Sequence, residues 1–175
     1  MPGELHPLAA TIRDVPDFPQ PGVLFRDITT LLQDGPAFHR AIDELYERCR
    51  RHEATKIVGI ESRGFIFATP LAYRLGIGFV PARKLGRLPA PTVQAEYQLE
   101  YGVNTVELHR DAIAQGERVL IVDDLLATGG TCGAAIRLVE QLGGVVTALV
   151  FLAELTFLDG RSRLQGYDIE TVIRY

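Results

Sequence analysis

The stretch 118–144, RVLIVDDLLATGGTCGAAIRLVEQLGG, constrains the fold more than any other part of the chain. A run of aliphatic residues with no polar alternation is a strand covered on both faces, as in a parallel sheet. Two aspartates end the run, at what reads as the strand's carboxyl end. A Thr-Gly-Gly-Thr turn follows, then a helical pattern closed by a glycine pair. Such a strand–turn–helix unit needs a sheet layered between helices.

The rest of the chain repeats the pattern. KIVGIES (56–62), IGFVPAR (77–83), VELHRDAI (106–113), VVTALVFLAEL (145–155) and DIETVIRY (168–175) read as strands. Residues 36–52, 63–76 and 129–144 read as helices, with Phe38, Ile42, Leu45 and Cys49 on one face of the first. Residues 4–14 fit a short amphipathic helix. Pro16, Pro19 and Pro21 then predict an ordered, extended loop, and Phe18, Val23, Leu24 and Phe25 make it apolar enough to pack. The Pro/Gly-punctuated stretch 83–103 is expected to be one long functional loop. A single α/β domain over 1–175 is the structural expectation.

Composition excludes some functions. The 175 residues carry a formal charge of −4, which gives no reason to expect nucleic acid or an anionic membrane as partner. Cys49 and Cys132, without metal or redox spacing, read as reduced thiols. His6, His39, His52 and His109 show no ligand clustering. MPGELHPLAATIRD lacks a basic-then-apolar leader, so a cytoplasmic location is expected.

In a doubly covered sheet, ligands bind beyond the carboxyl ends of the strands. Gly129 and Gly130 permit a tight turn and close backbone approach, and a helix start favours an anion. Thr128 and Thr131 add hydroxyl donors. Neither GxGxxG nor GxxxxGK[ST] is present. The alternative, that these residues only turn and cap the chain, remains open for a lone TGGT. The adjacent carboxylates are the puzzle, because Asp123 and Asp124 would repel a phosphate.

VLIVDDLLATGGT resembles the donor-binding signature of the type I phosphoribosyltransferases. DFPQPGVLFRDIT (17–29), ESRGF (61–65), RKLGRLPAPT (83–92), LEYG (99–102) and AELT (153–156) fall in the order and spacing of the adenine-using branch of that family. The resemblance implies a Rossmann-like type I fold: a mostly parallel sheet flanked by helices, a purine hood within 1–35 and a flexible catalytic loop at 83–103. It implies transfer of a phosphoribosyl group from 5-phosphoribosyl-1-pyrophosphate to adenine, giving AMP and pyrophosphate, with Mg²⁺ arriving on the donor and no dedicated metal ligand. A homodimer is implied as well.

Residue roles follow from the same resemblance. Ala127, Thr128, Gly129, Gly130 and Thr131 would hold the 5′-phosphate. Asp123 and Asp124 would accept from the ribose hydroxyls and face the positive charge that develops on the sugar. Glu61, Ser62, Arg63, Arg83, Lys84 and Arg87 would meet pyrophosphate, with a non-proline cis bond between Glu61 and Ser62. Phe25 would stack on adenine, backbone groups of Val23 and Arg26 would read its edge, and Leu125 would wall the pocket. Glu100 would move a proton on the purine, and Tyr101 would belong to the lid. Three rivals stand beside this reading: a transferase for another purine, a non-catalytic sensor of the donor, and a phospho-acceptor domain.

Overall fold

A computed structural model describes residues 6–98 and 102–175. Its centre is a seven-stranded sheet. In chain order the strands are β3 (Lys56–Ile60), β4 (Gly78–Lys84), β5 (Thr92–Gln98), β6 (Val103–His109), β7 (Arg118–Leu126), β8 (Val145–Glu154) and β9 (Ile169–Arg174). They lie in the order β5-β6-β4-β3-β7-β8-β9. The block β4-β3-β7-β8-β9 is parallel, while β5 and β6 add an antiparallel edge.

Burial on both faces explains the unbroken aliphatic runs. Leu120 and Val122 of β7 enter one core with Ile57, Val150 and Leu152, beneath α1 (Thr29–Gln33), α2 (Gly35–Cys49) and α3 (Gly64–Leu75). Val119 and Ile121 enter the other, with Val58, Leu149 and Phe151, beneath α4 (Gly130–Gln141). Alternate side chains of a strand point to opposite faces, so a strand serving two cores must be apolar throughout. All four residues are fully buried, each worth roughly 1.5–3 kcal/mol of apolar transfer, an upper bound set by the extended reference chain.

The helices begin and end on the expected signals. The Asp34 carboxylate accepts from the Ala37 N–H at 3.1 Å, with Pro36 in the first turn of α2. Gly76, at φ 67°, closes α3 in the left-handed region.

Three expectations change. The described part of the expected 4–14 helix is not helical throughout: Pro7–Thr11 is a short 3₁₀ turn, and β1 (Arg13–Pro16) follows. The Thr11 hydroxyl closes that turn on the Leu8 carbonyl at 2.7 Å. The proline-rich stretch is not simply extended: β1 pairs antiparallel with β2 (Leu24–Asp27), and Pro19 and Pro21 sit in the connecting turn, where no ladder N–H is needed. Finally, 83–103 is not one loop. β4 runs to Lys84, and β5 pairs with β6 over seven residues. Val93, Ala95 and Tyr97 pack inward at a spacing of two, a strand signal diluted by the polar residues between them. Among the described residues, no helix is long and apolar enough to cross a membrane.

Candidate active site

β3, β4, β7 and β8 deliver their carboxyl ends to one rim. β7 runs on through the acid pair to Leu126, because β8 stays paired beside it from Asp123↔Phe151 to Leu126↔Glu154. The strand therefore holds both aspartates rigidly. Asp124 is buried, and its backbone N–H donates to Asp123 Oδ1 at 2.9 Å. Arg63, at the start of α3, brings its Nε to 2.9 Å from Asp124 Oδ2. That approach is poorly aligned, and Oδ2 is buried without a hydrogen bond. Burial raises both carboxyls above their ordinary value; the neighbouring charge of Asp124 raises Asp123 further, while Arg63 opposes the rise at Asp124. Two carboxylates crowded into a dry corner with one imperfect cation call for ligand hydroxyls or a further positive charge.

Gly64 makes the crowding possible. A Cβ there would stand 2.9 Å from Asp123 Oδ1 and 3.0 Å from the Val122 carbonyl oxygen. Only glycine lets the first turn of α3 close on the end of β7.

A small hollow of about 70 Å³ lies beyond Asp123, lined by Leu125, Ala127, Thr128, Gly129, Gly130 and Thr131, with Cys132 and Phe151 at its back. Gly129 has φ 79° and precedes α4 with no side chain capping the helix. Thr128 and Thr131 therefore do not act as caps, and the first-turn N–H groups stay available to an anion. Gly130 lies under the end of β5: a Cβ there would be 3.5 Å from the Gln98 carbonyl oxygen and 3.7 Å from the Tyr97 ring. The end of β5 thus reaches the cradle. Glu100 and Tyr101 lie outside the described residues.

A second hollow, of about 340 Å³, is lined by Glu61, Ser62, Arg63, Lys84 and Arg87. The Glu61–Ser62 peptide bond is cis. The Glu61 carboxylate is engaged by its neighbours. It accepts from Arg83 Nη2 at 2.8 Å and from the Lys84 N–H at 2.9 Å, and the Arg83 hydrogen bond holds its carboxyl below the usual range. Among the described residues, neither Lys84 nor Arg87 joins an ion pair, so the two cations remain for a ligand. Glu107, not singled out from sequence, is buried beneath this strip and accepts from the N–H groups of Arg87 and Leu88, both at 3.0 Å, and from Thr92 Oγ1 at 3.1 Å. A lone glutamate in a strand gives no sequence signal for that role.

On the other side of Arg63 is a cleft of about 440 Å³, lined by Val15, Phe18, Phe25, Asp27, Ile28 and Thr29. Phe18 meets Phe25 edge to face at 5.2 Å, and the Arg63 guanidinium carbon stands 5.3 Å from the centre of the Phe25 ring. Val23 and Arg26 are not among the lining residues. The Val23 N–H donates to the Gln20 carbonyl at 3.3 Å, and the Arg26 side chain lies over the Tyr175 ring and pairs with Asp14. Asp27 closes the cleft floor; its hydrogen bond from Arg13, with those of Thr29, lowers its carboxyl to about 2.

The structure thus brings together an anion cradle, an acid pair with Asp124 buried and Asp123 lining the cradle hollow, a basic hollow and an aromatic cleft around Arg63. That combination on a mostly parallel sheet defines the class, a transferase of the type I phosphoribosyltransferase fold. The family model described as phosphoribosyl transferase domain matches residues 29–165. An adenine phosphoribosyltransferase of Chloroflexus aurantiacus is 58% identical over 168 residues, covering 96% of this chain and 97% of that protein. The crystal structure of the adenine phosphoribosyltransferase of Thermoanaerobacter pseudethanolicus superposes with a TM-score of 0.94 at 53% identity, covering 96% and 98% of the two chains. That of Saccharomyces cerevisiae, complexed with an imino-altritol bisphosphate and adenine, superposes with a TM-score of 0.89 at 40% identity, covering 95% and 96%. This chain belongs to the adenine phosphoribosyltransferase family.

Proposed function

We propose that this protein transfers the 5-phosphoribosyl group from 5-phosphoribosyl-1-pyrophosphate to adenine, forming AMP and releasing pyrophosphate. One observation carries the reading. Arg63 touches both the acid pair and the aromatic cleft, so a sugar held by Asp123 and Asp124 has its C1′ end beside the place where a planar base would stack. The cradle stands at the opposite end of that sugar and the basic hollow at its side.

In this assignment Ala127–Thr131 hold the 5′-phosphate through backbone and hydroxyl donors. Asp123 and Asp124 accept from the ribose hydroxyls and face the positive charge that grows at C1′ as pyrophosphate leaves. Ser62, Arg63, Lys84 and Arg87 receive the pyrophosphate; Glu61 and Arg83 support that strip by pairing with each other. Phe25 stacks on adenine, Arg26 offers backbone groups to its edge, and Val23 offers its carbonyl alone, since its N–H is donated to Gln20. Leu125 closes the site. Glu100 transfers the purine proton, and the hairpin tip with Tyr101 excludes water, which would hydrolyse the activated sugar.

Magnesium fits this site without a cage of its own. Among the described residues no three His, Cys, Asp or Glu side chains converge as ligands, yet the buried Asp124 Oδ2 lacks a hydrogen bond beside a second carboxylate. Asp123 and Asp124 would hold a magnesium ion carried in by the donor, which would neutralise charge on the departing pyrophosphate. The protein works as one domain over 1–175, as a homodimer, in the cytoplasm.

The test is the reaction itself. Protein, adenine, the pyrophosphate donor and Mg²⁺ are mixed, and AMP is measured; turnover of hypoxanthine or guanine in place of adenine overturns the base assignment. Donor binding with no turnover of any purine marks a sensor. Glu100→Gln is expected to lower kcat by about 10²–10⁴-fold, the range for general acid–base catalysis, while donor affinity changes little.

A further inference from the structure

Behind the phosphate cradle stands a layer that the transfer chemistry does not use, the 3₁₀ segment Gly160–Leu164. It meets the cradle backbone to backbone. A Cβ on Gly160 would collide with the Ala127 carbonyl oxygen and come to 3.0 Å from Leu126 Cδ1. In the reverse direction, a Cβ on Gly129 would stand 2.7 Å from the Gly160 carbonyl oxygen. Gly160 is buried and is not among the glycines with positive φ, so space and not backbone conformation demands glycine there. Leu164, 1% exposed, fills the remaining gap, its Cγ lying 3.3 Å from the Cβ position of Gly129.

The segment is clamped where it begins. Arg161 donates Nε to Glu154 Oε1 at 2.7 Å and Nη2 to Oε2 at 2.9 Å. Thr171 Oγ1 adds a hydrogen bond to Oε2 at 3.3 Å, and Arg174 Nε lies 3.4 Å from the same oxygen. Glu154 is the last residue of β8 and sits in register with Leu126, the residue that leads into the cradle. One fork-shaped ion pair therefore ties the segment to the strand end beside the phosphate loop, and a bidentate guanidinium fixes direction as well as distance.

We propose that Gly160 and the Glu154–Arg161 clamp form a buttress that sets the curvature of residues 127–130, so that their N–H groups converge on the 5′-phosphate. Gly160 and Arg161 are positioning residues: neither needs to touch the ligand. The inference rests on the reading of the cradle as the 5′-phosphate site.

The experiment compares AMP with adenosine, which differ only by that phosphate. Dissociation constants are measured for both on the unaltered protein, Gly160→Ala and Arg161→Met. On the unaltered protein AMP binds tighter, and the ratio of the two constants reports the cradle. Gly160→Ala is expected to shrink the ratio by about tenfold, the scale of one charge-assisted hydrogen bond, with adenosine affinity held within about twofold. Arg161→Met is expected to shrink it by about threefold, since Arg174 still faces Glu154. If Gly160→Ala does not fold, Arg161→Met decides alone. Ratios unchanged from the unaltered protein overturn the buttress, as does an adenosine loss equal to the AMP loss, which signals general damage. An unaltered protein that binds AMP no tighter than adenosine overturns the cradle reading itself, and the buttress with it.

Discussion

Asp123 and Asp124 sit where a carboxylate is poorly solvated and has a like charge for a neighbour. Their folded-state pKa values lie above the ordinary 3.8, so the folded protein keeps their protons longer than the unfolded chain does. Stability from this pair is therefore greatest below that ordinary value and is lost as pH rises through the raised ones. Asp123→Asn removes the cost. We predict a higher melting temperature than the unaltered protein at pH 8, by a few degrees, with the gap closing as pH falls toward 4, read from melts at both pH values. The same variant should lose about 10²–10³-fold in kcat, the scale of removing one electrostatic contact to a transition state. The base side has its own test. Phe25→Ala removes a stacking face worth about 1–3 kcal/mol and should raise the KM for adenine by roughly tenfold, with the KM for the donor little changed; equal rises in both would remove Phe25 from the base pocket.

At the scale of elements, the β5–β6 hairpin matters most. It adds an antiparallel edge to the sheet and lies along α4, where Arg137 Nη2 donates to the Glu96 carbonyl at 2.6 Å. That bond pins the strand whose end overhangs Gly130. Arg137 is exposed, so the pin is weak and replaceable by water. We predict that Arg137→Ala loosens the end of β5 over the cradle: the donor should be lost to water a few-fold faster relative to AMP formation, measured as the ratio of ribose 5-phosphate to AMP produced. An unchanged ratio would show that the end of β5 keeps its place without this pin. The hairpin was only half legible in the chain. Val93, Ala95 and Tyr97 carry strand periodicity, but Pro89, Pro91 and Gly86 before them read as loop punctuation. The α4 unit was legible almost residue for residue, because its glycines and apolar spacing all point one way. The five-residue α1 carried no such agreement; its Leu31 is held by the core, not by propensity.

For the whole molecule, two cores share one sheet, and β7 contributes to both. Burial pushes the Glu154 carboxyl up, and Arg161, helped by Arg174, more than reverses this and leaves it below its ordinary 4.5. A lowered folded pKa gives stability that is present above 4.5 and is lost as pH falls through the folded value. Removing the guanidinium lifts that folded value and removes the gain. Arg161→Met should therefore unfold at a higher pH in an acid titration followed by circular dichroism; an acid midpoint that stays in place would show that Arg174 alone sustains Glu154.

The sequence by itself determined the α/β layering, the two-sided burial of the strands, the cradle and the acid pair. These rest on periodicity and on neighbours in the chain, and such signals are local. Only the tertiary structure decided that Arg63 would stand between Asp124 and Phe25, that Glu61 would spend its charge on Arg83, that Glu107 would anchor the turn at Arg87, and that Gly160 would lie against Ala127. Each of these joins residues from separate elements. Their meeting depends on how the strands are ordered and how closely two backbones approach, and no spacing along a chain records either.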